Sequence, residues 1–274
     1  MKNTFVYQAK RPIVKVLQIT DPHLFKDEQT ELLGVNTQAS FGQVLKEIQQ
    51  NDTDFDLIFA TGDLVQDGSE EGYRRFVEML EPFGKSVFWI PGNHDFQPKM
   101  VEYLNQPPVQ SAKHILLGEH WQAMLLDSQV YGVPHGELSQ YQLNLLKETL
   151  AKYPQRYTLI VLHHHLLPTN SAWLDQHNLR NPHELYDVLA PFEKVKAIVY
   201  GHIHQQVDSQ WYRYQVMATP STCIQFKADS QNFALDAVPP GWREIELHPD
   251  GSIRTTVKRI RQAEFLPNMQ EEGY

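Results

Sequence analysis

The chain has 274 residues, 41% hydrophobic and 21% charged, a balance that suits a folded protein with a well-buried core. Its formal net charge of −9 at pH 7 argues against a function that grips nucleic-acid phosphates, which calls for a basic surface. A small anionic substrate stays open, because bound metal ions can make a site locally positive inside an acidic protein.

The opening segment, MKNTFVYQAKRP, lacks the apolar run of a signal peptide, and no later stretch approaches the roughly 18 apolar residues of a membrane span. A cytoplasmic protein with no membrane partner is therefore the expectation. From Ile13 onward an apolar run of strand length repeatedly stops at a polar cluster. Residues 13–19 (IVKVLQI) stop at Asp21-Pro-His, residues 57–60 (LIFA) at Gly62-Asp63, and residues 87–90 (VFWI) at Gly92-Asn93-His94-Asp95. Residues 157–162 (YTLIVL) stop at His163-His164-His165, and residues 195–200 (VKAIVY) at Gly201-His202. Short β-branched and aromatic runs bounded by Gly and Pro predict buried strands.

Between them, helical spacing of apolar residues predicts helices over 37–50, 70–83, 138–152 and 183–189. Alternating strand and helix predicts an α/β fold with largely parallel pairing. After about residue 200 the pattern turns to strands and turns, with Pro249-Asp250-Gly251 as a hairpin turn, so the second half is expected to add its own sheet. The expected architecture is two mixed β-sheets packed as a sandwich and flanked by helices. It forms a single domain over 1–274, with a core at about 13–225, strands to about 260, and a polar, peripheral tail from about Gln262.

Ligands of α/β proteins gather at the carboxyl ends of strands, and five predicted strand ends here deliver Asp, Asn or His. Asp21-x-His23 and His202-x-His204 each set two donors on one side of an extended segment. Asp63 could bridge two cations, and Asn93 adds a neutral oxygen. A mixed oxygen and nitrogen donor set suits Mn, Fe or Zn better than Ca or Mg. Taken singly, each of these residues has an ordinary reading as a turn, cap or strand-end residue. No packing requirement asks five strands to end in metal-ligand types together. His114, His120, His135 and His248 carry no motif, and Cys223, the only cysteine, reads as a small buried hydrophobe. The loop 169–181, with Asn170, Trp173, Asp175, His177 and Asn178, could line a pocket or serve as a structural lid.

The segments DPH (21–23), GDLVQD (62–67), GNHD (92–95), HHH (163–165) and GHIH (201–204) resemble, in order, the five metal motifs of the calcineurin-like metallophosphoesterases, over roughly residues 13–225. Within that superfamily the chain looks most like the bacterial 3′,5′-cyclic AMP phosphodiesterases. That likeness rests on LLGVNT (32–37), VFWIPGNHDF (87–96), HHHLLPTNSAWLDQHNLRN (163–181) and ATPSTCIQF (218–226). The resemblance implies two divalent metal ions, Fe(II) or Mn(II) or both. One would be held by Asp21, His23, Asp63 and His204, the other by Asp63, Asn93, His164 and His202. It further implies hydrolysis of cyclic AMP to 5′-AMP by an activated water, with His94 assisting the leaving oxygen and Asp67, together with Asp95, orienting nearby histidines. Substrate contacts fall to His23, Asp63, Asn93, His94 and His204. A broader metallophosphoesterase of other small esters and a non-catalytic scaffold of the same fold are the alternatives, with a nuclease disfavoured by the charge. Of the triplet, continued strand alternation past Leu162 would turn His164 alone toward the metals.

Overall fold

The computed structural model describes residues 4–261, 264–271 and 273. Each predicted run becomes a strand within a residue or two of its expected end: Val14–Ile19, Leu57–Ala60, Val87–Trp89, Tyr157–Val161 and Val195–Tyr200. These strands are buried almost throughout, as runs that lie between two covered faces must be.

The strands form two large mixed sheets. One has six strands in the order Ile253–Arg259, Gly241–Leu247, Val14–Ile19, Leu57–Ala60, Val87–Trp89 and Val109–Gln110. The other has seven, in the order Thr4–Tyr7, His114–Leu117, Trp121–Leu125, Tyr157–Val161, Val195–Tyr200, Tyr214–Ala218 and Val207–Trp211. The expectation that the segment after residue 200 adds its own sheet holds only for the two-stranded pair Gln225–Phe226 and Leu235–Asp236. The hairpin 241–259 instead pairs antiparallel with Val14–Ile19, and the hairpin 207–218 extends the other sheet beyond Val195–Tyr200. Pairing with a covered strand satisfies a ladder that two isolated hairpins would leave exposed. The N-terminal strand Thr4–Tyr7 and the pair His114–Leu117 and Trp121–Leu125 lie outside the five predicted runs.

Three apolar clusters follow from this layering. Val16, Phe59, Phe88 and Ile245 of one sheet meet Leu117, Trp121, Leu159 and Val199 of the other, which makes the sandwich core. The helices Thr37–Asn51 and Glu70–Leu80 pack Phe41, Val44, Phe76 and Leu80 on the outer face of the six-stranded sheet. On the seven-stranded sheet the helices Gln140–Lys152 and Pro182–Leu189 supply Leu143, Leu146, Leu185 and Leu189. Helix starts follow local chemistry. Asn36, Ser69 and Ser139 each accept a backbone N–H of the first turn, so the predicted 138–152 helix begins only after its Ser139 cap. Gln262 lies outside the described residues. The later tail is not merely peripheral, since Pro267 is buried, Phe265 packs on the core and the Asn268 N–H donates to the Leu33 carbonyl at 2.8 Å.

Within each sheet the strands that end in candidate ligands are parallel neighbours, so their carboxyl ends lie side by side. The sheets are tied there as well. Gln18 donates from Nε2 to Thr61 Oγ1 at 2.9 Å and to the Tyr200 carbonyl at 3.2 Å, which links the last turns of both sheets.

Candidate metal centre

Five of the expected ligands sit in the left-handed region that side chains other than glycine seldom adopt: Asp21 (φ 53°), His23 (48°), Asp63 (49°), His202 (67°) and His204 (49°). Such strain costs about 1–3 kcal/mol per residue and persists only where surroundings over-determine it, typically at functional sites. Here the surroundings are backbone bonds from loop to loop. The Asp21 N–H donates to Gly62 O and the His23 N–H to Asp63 O, both at 3.0 Å, while the His202 N–H donates to the Asp21 carboxylate at 3.1–3.2 Å. Ser221 Oγ closes the ring onto Asp21 O at 2.7 Å.

These constraints bring the donors together in overlapping groups. Asp21, His23 and His204 form one, with His204 Nε2 3.4 Å from Asp21 Oδ1 and 3.1 Å from His23 Nε2. Asp63 lies against the first group through His23 at 4.0 Å and against the second through His163 at 3.3 Å. His163 Nε2 is also 3.3 Å from Asn93 Oδ1. His163, His164 and His202 form a further group, their ring centroids 4.8–4.9 Å apart.

Each imidazole has its other nitrogen anchored: His23 Nδ1 faces Gln66 Oε1, His163 Nδ1 Thr61 O, His202 Nε2 His177 O and His204 Nδ1 Ile224 O. Anchoring one ring nitrogen on an oxygen sets the tautomer and leaves the other available to a cation. Burial drives the imidazoles of His23, His164 and His202 down, His23 to about 3, so they stand neutral, the form that binds metal. Burial alone would raise the Asp63 carboxyl, yet the neighbouring imidazoles of His163 and His94 outweigh it and hold Asp63 well below the usual carboxylate range. Burial likewise pulls on His163, but Asp63 and Asp21 overcome it and lift that imidazole to about 9. Two fully buried carboxylates thus take compensating positive charge from a histidine, which is the role a cation fills in a mixed N/O donor set. The residues fit a pair of divalent ions.

The triplet departs from the expected register. The strand ends at Val161, so alternation does not continue through residues 163–165. His163, rather than His164, therefore stands against Asp63 and Asn93. His164 rests Nδ1 on Ser128 Oγ at 2.8 Å, and its buried Nε2 has no hydrogen bond among the described residues. His165 stacks on His202 and lies 3.6 Å from Asp175.

Asp67 is exposed and accepts the backbone N–H of Lys26 and Ser69, which shapes the loop. Its neighbour Gln66 lies against His23 Nδ1 through Oε1 at 2.5 Å and orients that ring. Asp95 is buried and accepts from the N–H groups of Gly92, Leu64 and Val65 and from the Tyr73 hydroxyl, which clamps the two ligand-bearing loops together. Burial and the Asp63 charge push its carboxyl up to about 7 against those donors. Half-buried His94 lies edge-on to His23, centroids 5.3 Å apart, and its backbone N–H donates to Asp63 Oδ1 at 2.8 Å. In the loop after the triplet Trp173 packs on Phe226 and Phe233, while His177 lends its carbonyl to His202. Cys223 is buried with its thiol pushed up to about 12 by that burial, consistent with a packing residue.

Close approach explains one glycine here. A Cβ on Gly92 would overlap both the Asp63 carboxylate and its backbone nitrogen. Gly92→Ala is expected to cost about 1–3 kcal/mol through overpacking. By displacing Asp63 it should also lower activity at least ~10²-fold, as misplacements of an ångström do. A thermal melt and metal content measured on the same preparation check this, and a variant with full metal content and wild-type turnover would contradict the stated contact.

The family model described as calcineurin-like phosphoesterase matches residues 14–206. The chain belongs to the calcineurin-like phosphoesterase family. This metallophosphoesterase is 79% identical over 274 residues, the full length of both chains, to the 3′,5′-cyclic adenosine monophosphate phosphodiesterase CpdA of Haemophilus influenzae. It is 51% identical to the protein of the same description from Escherichia coli K12, over 95% of each chain. Among solved structures, a dimetal phosphatase from Danio rerio superposes with a TM-score of 0.60 at 14% identity, covering 91% of this chain and 99% of the other. A purple acid phosphatase from yellow lupin gives 0.65 at 12% identity over 95% of this chain and 54% of its own. At such identities these two likenesses bear on the fold. The family uses divalent metals, and the grouped His and Asp side chains of this metallophosphoesterase can hold them. No helix among its described residues is long and apolar enough to cross a membrane.

Gln66, Ser128, Gln129 and the carbonyls of Thr61, His177 and Ile224 also hold the site, beyond the residues the motifs single out. Gln66, His177 and Ile224 stand inside quoted segments, yet nothing in residue type marks their contacts. These contacts are assigned by proximity between segments distant in the chain, from Ile224 with His204 to Thr61 with His163.

Proposed function

We propose that this chain is a dinuclear-metal phosphodiesterase of the cytoplasm that hydrolyses the 3′ ester of 3′,5′-cyclic AMP to give 5′-AMP. The observation that carries the reaction class is the convergence of donors from five strand ends around Asp63, which adjoins both ligand groups. Support for the cyclic nucleotide comes from the description carried by the relatives at 79% and 51% identity.

One ion would be held by Asp21, His23, Asp63 and His204, the other by Asp63, Asn93, His202 and, on the distances above, His163, with His164 close behind. The mixed nitrogen and oxygen donor set suits Mn, Fe or Zn, and the family likeness selects iron or manganese among them. Bound there, the ions supply a water acidic enough to act as nucleophile at neutral pH and positive charge for the phosphoryl oxygens. The chain's own residues do the rest. Asp63, whose Oδ1 accepts the His94 N–H, keeps the ligand loop and the His94 loop in register. His94, half-buried at the open edge beside His23, donates a hydrogen bond to the ester and a proton to the departing O3′.

His94→Ala is expected to lower kcat about 10²–10⁴-fold, the usual contribution of a positioned acid, with metal content retained. Steady-state kinetics with cyclic AMP beside elemental analysis test it. Because His94 also groups with His23 and Asp63, loss of metal in the variant would instead make it a ligand.

A further inference from the structure

We propose that Tyr131, backed by Phe96, is the surface on which the adenine base of the substrate stacks. The inference rests on the proposed reaction, because O3′ and the base hang from one ribose. The rim that carries His94 must then also carry the nucleoside.

Phe96 follows His94 by two residues, and the Tyr131 ring lies 6.1 Å from the Phe96 ring at an interplanar angle of 53°. Tyr131 is 76% exposed, which leaves most of the ring open to a second aromatic. The segment that carries it leaves the strand Trp121–Leu125, which runs parallel to Tyr157–Val161, and so emerges on the side of the His triplet. It is held at both feet by the site itself. Gln129 donates from Nε2 to the carbonyls of Gly92 and Asp95, each at 2.6 Å, on either side of Asn93 and His94. At the other foot the Gly136 N–H donates to the Asn178 carbonyl at 3.1 Å, and Gly136 pairs with Leu179. Between the feet the Val133 N–H donates to the Val130 carbonyl at 3.3 Å, and Gly132 has φ 81°. That is a tight turn with Tyr131 at its second position and glycine at the third, where positive φ is required. A short turn pinned at both ends holds its ring with little left to order on binding.

The chemistry of the turn matches its proposed occupant. Residues 130–135, VYGVPH, carry no carboxylate, lysine or arginine in an otherwise acidic chain, which suits an uncharged heteroaromatic ring. Every base presents a π-face, so an aromatic platform contributes affinity for the base whatever hydrogen bonds its edge makes.

The test uses metal-loaded protein and two substrates, cyclic AMP and the 3′,5′-cyclic phosphate of methyl riboside, which has the same ester without a base. Tyr131→Ala is expected to lower the ratio of kcat/KM between the two about tenfold, within the range of base–aromatic stacking losses. Tyr131→Phe, which keeps the ring, should hold the ratio. Tyr141→Ala, at a tyrosine 71% exposed on the helix Gln140–Lys152, serves as the control and should hold it too. An unchanged ratio in Tyr131→Ala overturns the proposal, and so does an equal loss in Tyr131→Phe, which would assign the effect to the hydroxyl. If the wild-type protein fails to turn over cyclic AMP, the reaction assigned above falls on its own. Stacking is then decided by calorimetric affinity for 5′-AMP, expected about tenfold weaker in Tyr131→Ala and overturned by equal affinity.

Discussion

Removal of divalent metal is expected to take cyclic AMP hydrolysis to background, and addition of Mn(II) or Fe(II) to restore it. The reason lies in how the nitrogen atoms around the site are spent. His23, His163, His202 and His204 each commit one ring nitrogen to Gln66, Thr61, His177 or Ile224. With the other, His23 and His163 face Asp63 and His204 faces Asp21, while His202 groups with His163 and His164. That arrangement suits ligands and leaves none of these four imidazoles set up as a general base. Bulk water, with a pKa of about 15.7, is a poor nucleophile at neutral pH, whereas a bound cation brings it to about 7. A loss of many orders of magnitude follows. Two buried carboxylates without their cations also repel, so the stripped protein should melt earlier and recover on reloading. Full turnover in protein that elemental analysis finds metal-free would sink the proposed mechanism.

The second large effect separates the two histidines of the triplet. His163→Ala is expected to remove most of the metal from the second site and nearly all activity, while His164→Ala keeps the metal and loses less. His163 Nε2 sits 3.3 Å from both Asp63 and Asn93, and its Nδ1 is anchored on the Thr61 carbonyl in the neighbouring sheet. Removing it takes a nitrogen donor from the second site and opens a gap beside the buried Asp63 and Asn93. His164 also groups with His163 and His202, yet its anchored contact is Ser128 rather than Asp63 or Asn93. Metal stoichiometry beside kcat for the two single variants decides the matter. Retained metal in His163→Ala with loss in His164→Ala would restore the register that simple strand alternation predicts.

A sequence carries periodicity and residue type, and both were sufficient for much of this molecule. The five apolar runs that end in Asp, Asn or His, the helices between them, and the donor types at DPH, GDLVQD, GNHD and GHIH were legible because burial and ligation each demand particular side chains locally. Tertiary structure alone decided that the hairpin 241–259 joins Val14–Ile19, since that pairing sets Leu247 against Val14 from the opposite end of the chain. It alone decided the triplet, because alternation holds only while the ladder lasts and the ladder stops at Val161. The left-handed backbone at Asp21, His23, Asp63, His202 and His204 left no signature in residue type either, for aspartate and histidine tolerate it only where distant carbonyls and carboxylates hold it in place. The same holds for Gln66, Ser128 and Gln129, whose roles come from what folding sets beside them.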